Sequence, residues 1–463
     1  MKTLVILTFC AAAATLARAQ AAAPAETVAP VSDPRIEKLV GAVSEDRLKM
    51  LVETLAGFHT RNTLSDTESA TRGIGAARQW IFDELTRSSP RLQVMFDTYK
   101  LKKQGRITRS VDLSNVLAIL PGRSLRRIYV SAHYDSVSLP KGQLEANTRP
   151  PAKPGEKPPP DPQQRPNQDY NVDAPGANDN GSGTALTMEL ARVIASSGLE
   201  FDATIVFALW AGEEQGLMGA HAHAARLIKE KTIVDADFNN DIVGNSHGGS
   251  GEVDAGSVRV YSEGPEDSMS RSLARYIERM ATRYVPTHRV RLLARQDRFS
   301  RGSDNAAFNQ RGLPAVVFRE SKENFAKQHA ATDTVDGVDV AYLAKNARVN
   351  LAGVVALALA PAAPKITNER NQPTLGRQPS GYDANLRWKA SPGATAYRIY
   401  WREAWNSDWQ HSQEVGNVTE YVFPKMSIDD FVFGVAAVGA DGHESLIAAY
   451  VAAQRRDVDV KTR

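Results

Sequence analysis

At 463 residues the chain is long enough for two or three domains. Its formal charge of +3 comes from basic and acidic residues interspersed throughout, which argues against a nucleic-acid partner. The single cysteine, Cys10, excludes a disulfide framework.

Lys2 precedes the apolar run LVILTFCAAAATLA, and Ala17-Arg18-Ala19 follows with the small-x-small pattern of a cleavage site. Residues 1–19 therefore read as a secretory signal cut before Gln20, and the protein is expected to be secreted or periplasmic. Its loss would also remove Cys10, leaving a mature chain with neither disulfide nor catalytic thiol. A low-complexity leader occupies 20–33. Apolar periodicity then predicts one helix over 34–57, carrying Ile36, Leu39, Val43, Leu48, Leu51, Val52 and Leu55, and a second over 68–87.

From there strand-like runs alternate with helices. VLAILPG closes at 122 and RRIYVSAHYDS at 136, and a helix spans 183–198. ATIVFALW at 203–210 precedes a helix at 217–230, and FNNDIVG ends at 244. SVRVYS, the helix SMSRSLARYIERMATRY, RVRLLA, a short SDNAAFNQ helix, LPAVVFRE and a long helix at 338–360 complete the series. Near-continuous apolar strands between helices predict an α/β fold whose mixed, largely parallel sheet is covered on both sides. VNLAGVVALALA at 349–360 comes nearest to membrane length, but it continues a polar, periodic helix, so no stable membrane insertion is expected.

Residues 141–172 break the alternation with proline and charge and read as a surface excursion. PAAPK at 361–365 reads as a linker. Beyond it, YDANLRWKAS, AYRIYWREA, TEYVFP and DFVFGVAAVG are short strands of a small all-β sandwich over 366–455, followed by a polar tail at 456–463. In AYRIYWREA, Tyr397, Ile399 and Trp401 would share one face and Arg398, Tyr400 and Arg402 the other.

The chemistry sits at the predicted strand ends. His133 and Asp135 close one strand, Asp179 precedes a helix in GANDNGSG, and Glu213 and Glu214 follow ATIVFALW in WAGEEQGLMG. Asp241 lies in FNNDIVG and His329 in KQHAATDT. In an α/β sheet such strand ends converge on one crevice. His133, Asp179, Glu214, Asp241 and His329 suit zinc without sulfur. Five ligands are too few for two separate tetrahedral sites, but Asp179 shared between two ions resolves the count. Glu213 is then left to take a proton from water.

With SAHYDSV, GANDNGSG, WAGEEQGLMG, NNDIVG, RGSDNAAF and QHAATDT in this order, residues 34–360 resemble the M28 family of co-catalytic zinc peptidases. The resemblance implies a three-layer peptidase domain and two Zn2+ ions, one held by His133, Asp179 and Asp241 and the other by Asp179, Glu214 and His329. It implies Glu213 as general base, Asp135 as the carboxylate orienting the ligand histidine, and a cis peptide between Asp179 and Asn180. Peptide substrates follow, and the commonest activity in the family is aminopeptidase; carboxypeptidase or cyclase-type amide chemistry are its other members' activities. Asn305 departs from the family's pattern, standing where many relatives carry histidine after Ser-Asp. Residues 366–455 resemble a fibronectin type III domain through LRW, YRIYWR, TEYVF and FVFGVAAVG.

Several neighbours receive plainer readings. Ser303 and Asp304 read as the start and cap of a short helix, and His247 as a loop histidine near Asp241, a candidate for substrate contact. GNSHG at 244–248 formally fits a nucleophile elbow, which would make Ser246 with Asp304 and His329 a serine hydrolase, yet a loop-like GSGEVDAG follows where that elbow needs a helix. A non-catalytic secreted binding protein is the remaining alternative, though such a scaffold would be expected to have lost a ligand or Glu213. Oligomeric state leaves no mark on the sequence.

Overall fold

The computed structural model describes residues 32–139, 170–299 and 301–451; the expected signal, nearly all of the leader, residues 141–169 of the excursion and the tail lie outside them. Where periodicity predicts one helix over 34–57 there are two, α1 (Pro34–Gly41) and α2 (Glu45–Gly57). Ser44 causes the break: its backbone is extended and its hydroxyl accepts the Arg47 N–H at 3.2 Å, starting a new helix. Both helices still bury the expected face, and Ile36, Leu48, Leu51, Val52 and Leu55 belong to the main core. The next helix, α3 (Gly73–Ser88), begins later than residue 68 because Asp66 instead closes a turn, accepting from the Glu68 and Ser69 N–H groups at 2.7 and 3.1 Å.

β1 (Gln93–Leu101) is a strand the sequence reading missed. It is an edge strand in which only Asp97 is buried, so the alternation that marks a half-buried strand is lost. It pairs antiparallel with β2 (Val111–Leu120). The remaining elements fall within a few residues of expectation: β3 (Arg127–His133), α4 (Gly181–Ala195), β4 (Thr204–Trp210), α5 (Met218–Lys229), β5 (Val234–Asn240) and β6 (Ser257–Ser262). α6 (Met269–Tyr284), β7 (Arg289–Leu293), α7 (Asn305–Asn309), β8 (Ala315–Glu320) and α8 (Val340–Leu359) follow.

The strands form one sheet in the order β1-β2-β4-β3-β5-β8-β6-β7. Its centre, β4-β3-β5-β8, is parallel, while β2 runs against β4 and β6 against β8. Alternation along β3 divides the core between two faces. Ile128, Val130 and Ala132 join the large cluster with α1, α2, α4, α6 and α8; Tyr129 joins the smaller one with α5 and α7. The result is the expected three-layer arrangement, helices on both sides of a mixed, largely parallel sheet. α8 is buried along nearly its whole length, and no described helix is long and apolar enough to cross a membrane.

After α8 come β9 (Leu375–Gly376), β10 (Ala384–Arg387), β11 (Ala394–Glu403), β12 (His411–Glu414), β13 (Glu420–Phe423), β14 (Phe431–Gly439) and β15 (Ala448–Ala449). A three-stranded sheet, β13-β10-β9, and a four-stranded one, β12-β11-β14-β15, enclose Leu386, Trp388, Tyr397, Ile399 and Phe433. The opposite face of β11 is not turned to water. Arg402 pairs through one nitrogen with both oxygens of Asp267, at 2.8 and 2.9 Å. Arg279 of α6 donates to the Tyr400 hydroxyl at 3.2 Å and lies over its ring. Ser272 of α6 donates to the Ile447 carbonyl at 2.9 Å, and Leu446 joins the main core of the α/β layer. His443 reaches the N-cap of α1, its Nε2 lying 2.9 Å from Asp33 Oδ2.

This docking makes the Arg402–Asp267 pair an energetic test of the interface. The side chains are only 4% and 13% exposed, whereas those of Arg387 and Glu420 are 62% and 50% exposed. Asp267→Ala strands a buried guanidinium and is expected to cost about 3 kcal/mol in urea unfolding. Glu420→Ala is expected to leave the urea midpoint nearly unchanged, since solvent screens that pair.

Candidate metal centre

Parallel pairing brings the chemically rich strand exits together. His133 ends β3 opposite Trp210 of β4, so Glu213 and Glu214 follow on the neighbouring strand. Asp241 leaves β5 on the other side of β3, and His329 lies in the loop after β8. Asp179 sits just before α4 and is tied to this edge by its successor. The Asn180 carboxamide oxygen accepts from Gly183 at 3.0 Å and from Ile242 at 3.3 Å, while its NH2 group donates to the Asn240 carbonyl at 2.8 Å. One side chain thus caps α4 and holds both flanks of Asp241. Gly183 is required here, because a Cβ would stand 2.3 Å from the Asn240 carbonyl oxygen. The Asp179–Asn180 peptide is cis, as the resemblance implies.

Two further carboxylates act on the backbone around the cluster. Asp333 accepts the Asn178 and Asp179 N–H groups at 3.0 and 2.8 Å. Asp135 accepts those of Glu213 and Glu214, both at 3.2 Å, and the Thr63 hydroxyl at 3.0 Å. The His133 ring does not depend on the Asp135 carboxylate alone. Its Nδ1 lies 3.1 Å from the Asp135 main-chain carbonyl and 3.6 Å from Oδ1. A carbonyl only accepts, so in that bond Nδ1 carries the hydrogen and Nε2 is the nitrogen that faces the cluster. Arg61, fully shielded, donates to the carbonyls of Tyr134 (2.7 Å), Leu55 (2.9 Å), Pro175 (2.5 Å) and Gly176 (2.9 Å), joining α2 to the segments around the cluster.

The five expected ligands meet as two triads sharing Asp179: His133, Asp179 and Asp241, and Asp179, Glu214 and His329. Asp179 Oδ1 lies 3.5 Å from His133 Nε2, and its Oδ2 lies 3.3 Å from His329 Nε2. Asp241 Oδ1 is 3.5 Å from His133 Nε2, and Glu214 Oε2 is 3.2 Å from His329 Nε2. Tetrahedral ligands about 2.0–2.1 Å from one ion stand ~3.3 Å from each other, so both triads fit zinc. Glu214 Oε1 is buried with no hydrogen-bond partner, as befits an oxygen kept for a cation. Leu217, Ile242 and His329, all lining the cavity beside the cluster, have positive φ of 58°, 57° and 55°. Such backbone costs on the order of 1–3 kcal/mol per residue and persists because its surroundings hold it. Here the Ile242 carbonyl accepts from Glu320 at 2.8 Å and that of His329 from Leu139 at 2.9 Å.

Charge crowding sets the protonation of these groups. Desolvation, with Asp241, Asp135 and Asp179 adding to it and His133 opposing, pushes Glu213 up to about 8. Desolvation and the charges of Asp179 and Glu213 hold Glu214 well above the usual carboxyl range. Burial would raise Asp241 as well, but Arg319 and His133 hold it well below. His329 falls to about 4 through burial, which keeps its imidazole neutral and ready to ligate.

The cavity next to the cluster is about 190 Å³ and is also lined by Arg106, Arg298 and Arg301, none of which stood out in the sequence. Arginines recur throughout the chain, and Arg106 lies nearly 200 positions from the segment that carries Arg298 and Arg301, so only folding brings them together. Arg319 was equally hidden; its guanidinium lies 2.8 Å from Asp241 Oδ1 and 2.8 Å from Asp297 Oδ2. Asp304 departs from its expected capping role: it occupies the N-cap of α7 but makes no capping bond. Both its oxygens are buried without a hydrogen-bond partner, and desolvation and the charge of Glu213 raise it well above the carboxyl range. Ser303 instead accepts from Asn239 at 2.8 Å. His247 is exposed and does not line the cavity. Ser246 donates to Asp339 at 2.6 Å, and the segment after it is not helical, so the elbow geometry is absent.

The family model described as peptidase family M28 matches residues 115–354. A probable zinc metalloprotease of Leptosphaeria maculans is 34% identical over 90% of this chain and 97% of its own. One of Pyricularia oryzae is 35% identical over 90% of this chain and 84% of its own. Among solved structures, the LapA aminopeptidase of Legionella pneumophila shares the fold with a TM-score of 0.51 at 19% identity, over 70% of this chain and 75% of its own. A leucine aminopeptidase precursor of Bacteroides thetaiotaomicron does so with a TM-score of 0.51 at 14% identity, over 68% and 98%.

Removing bound metal should therefore expose a pH-dependent instability. In the fold Glu213 is raised to about 8 and Glu214 well above the 4.5 of an unperturbed carboxyl. A raised carboxyl destabilises as pH climbs from the unfolded value through the folded one, since only the unfolded chain ionises freely. Metal binding instead needs its carboxylates ionised and strengthens over the same window. The melting-temperature gap between zinc-loaded and chelator-treated protein is expected to widen from pH 5 to pH 8. An equal gap at both values would show that these carboxyls are not coupled to the metal.

Proposed function

Because the chain belongs to peptidase family M28 and is a zinc metallopeptidase, we propose that it is an aminopeptidase with a dinuclear zinc centre and Glu213 as general base. The observation that carries this reading is the division of Asp179 between two histidines, one oxygen to each triad. His133 and Asp241 would complete one zinc site, and Glu214 and His329 the other. Zinc there supplies Lewis acidity and lowers the pKa of a water nucleophile.

The protein's own side chains supply the rest. Glu213, raised to about 8, lies in the range where a carboxylate both takes and returns a proton near neutrality. It accepts the proton of the attacking water and passes it to the leaving amine. Asp135 fixes this base from behind through the two main-chain N–H groups of the Glu-Glu pair. Asp333 does the same for the bridging aspartate. The fold shared with the LapA aminopeptidase and the leucine aminopeptidase precursor supports aminopeptidase over carboxypeptidase or another amide hydrolase. Export through residues 1–19 and a fibronectin type III-like role for 366–455, appended to a peptidase domain at 34–360, belong to the same reading; the two small facing sheets support the latter.

A mixed peptide panel, each member free or acetylated at its amino end, tests the reading by mass spectrometry. Stepwise shortening of the free set alone is expected, and equal cutting of the blocked set would overturn aminopeptidase action. Glu213→Gln should retain both metals by elemental analysis while turnover falls at least ~10²-fold. His329→Ala should instead lower the metal content itself.

A further inference from the structure

We infer that Arg301 binds a carboxylate of the substrate, making this peptidase selective for an acidic group close to the bond it cuts. The inference rests on the peptidase reading above and names its substrate class.

Arg298 and Arg319 are neutralised within the protein. Arg298 lies 2.7 Å from Glu323 Oε2 and 3.4 Å from Asp297, and Arg319 lies 2.8 Å from both Asp297 and Asp241. Arg259 also pairs with Glu323. Arg301 meets no carboxylate within ion-pairing distance among the described residues. Its Nη1 donates to the Gln328 amide oxygen at 2.6 Å, and Gln328 in turn donates to Glu323 at 2.9 Å. Its guanidinium lies over the Phe325 ring, 5.8 Å from the centroid. The amide and the ring orient the guanidinium without neutralising it, and it lines the same cavity as His133, Asp179 and His329.

The electrostatics follow this division. Burial and Arg319 act against Arg298, yet Glu323 and Asp297 hold it above its ordinary range. Burial and Arg298 push Arg301 below its own. A planar, oriented and unneutralised guanidinium is the group that recognises carboxylate oxygens through paired hydrogen bonds. At about 190 Å³ the cavity is smaller than the ~300–1,000 Å³ of pockets for drug-sized ligands, so it suits one residue rather than a long chain. Two sources carry the required chemistry: the side chain of an aspartate or glutamate, or the free carboxyl end of a short peptide.

Two peptide pairs separate them. Glu-Leu-amide against Leu-Leu-amide varies only the side chain, and Leu-Leu against Leu-Leu-amide varies only the carboxyl end. Zinc-loaded wild type is expected to prefer the acidic member of one pair by about 10- to 100-fold in kcat/KM, the worth of a charged hydrogen-bonded contact. Arg301→Met should abolish that ratio, and Arg301→Lys should keep part of it. The same pairs titrated calorimetrically into zinc-loaded Glu213→Gln, with and without Arg301→Met, should show the preference as affinity. No preference in either pair, or one that survives Arg301→Met, overturns the inference. If no peptide is cut, neutral or acidic, the peptidase reading fails instead, and the calorimetric ratio still decides the role of Arg301. Thermal melts of each variant confirm that it is folded.

Discussion

Asp179, Glu213, Glu214, Asp241 and Asp304 crowd one edge of the sheet, where water is scarce, and like charges there repel strongly. Much of the surrounding architecture serves to hold these groups together against that repulsion. Main-chain N–H groups are directed onto Asp135 and Asp333, so the peptides of Glu213, Glu214 and Asp179 are fixed by carboxylates that are not themselves ligands. Arg319 supplies a permanent cation against Asp241, and the Asn180 amide locks the two loops to each other. A dication held by these triads would complete the charge balance that the protein leaves open.

Much of this was legible in the sequence because the candidate ligands lie where strands stop. A run such as ATIVFALW announces a buried parallel strand, and carboxylates directly after it announce an exit into a crevice. The missed features share a different cause. β1 is an edge strand whose only buried residue is polar, so it carries no hydrophobic signature. The split at Ser44 turns on a single hydroxyl capping a helix within an unbroken apolar pattern. Arg61, Arg319 and Arg301 act through carbonyls, carboxylates or amides distant in sequence, and nothing local distinguishes them from surface arginines. Asp304 was misjudged because the start of a short helix is where an aspartate normally caps, and here its side chain makes no such bond.

The β-sandwich shows the same limit in reverse. Alternation along β11 located its inner face, and the outer face would ordinarily be solvated. Tyr400 and Arg402 instead meet α6, the helix that also covers β6, β7 and β8. The sandwich is thereby packed against the α/β layer, while the residues of the metal cluster lie on other elements.

The contact between His443 and Asp33 spans 410 positions of the chain. Asp33 caps the first helix, and Leu446, between β14 and β15, fills part of the main core, so that core is finished only once the sandwich has been made. At ribosomal rates of about 5–20 residues per second, α1 waits on the order of 20–80 s for this partner. The native interior therefore closes late, and until then α1 and α6 keep apolar surface open to chaperones.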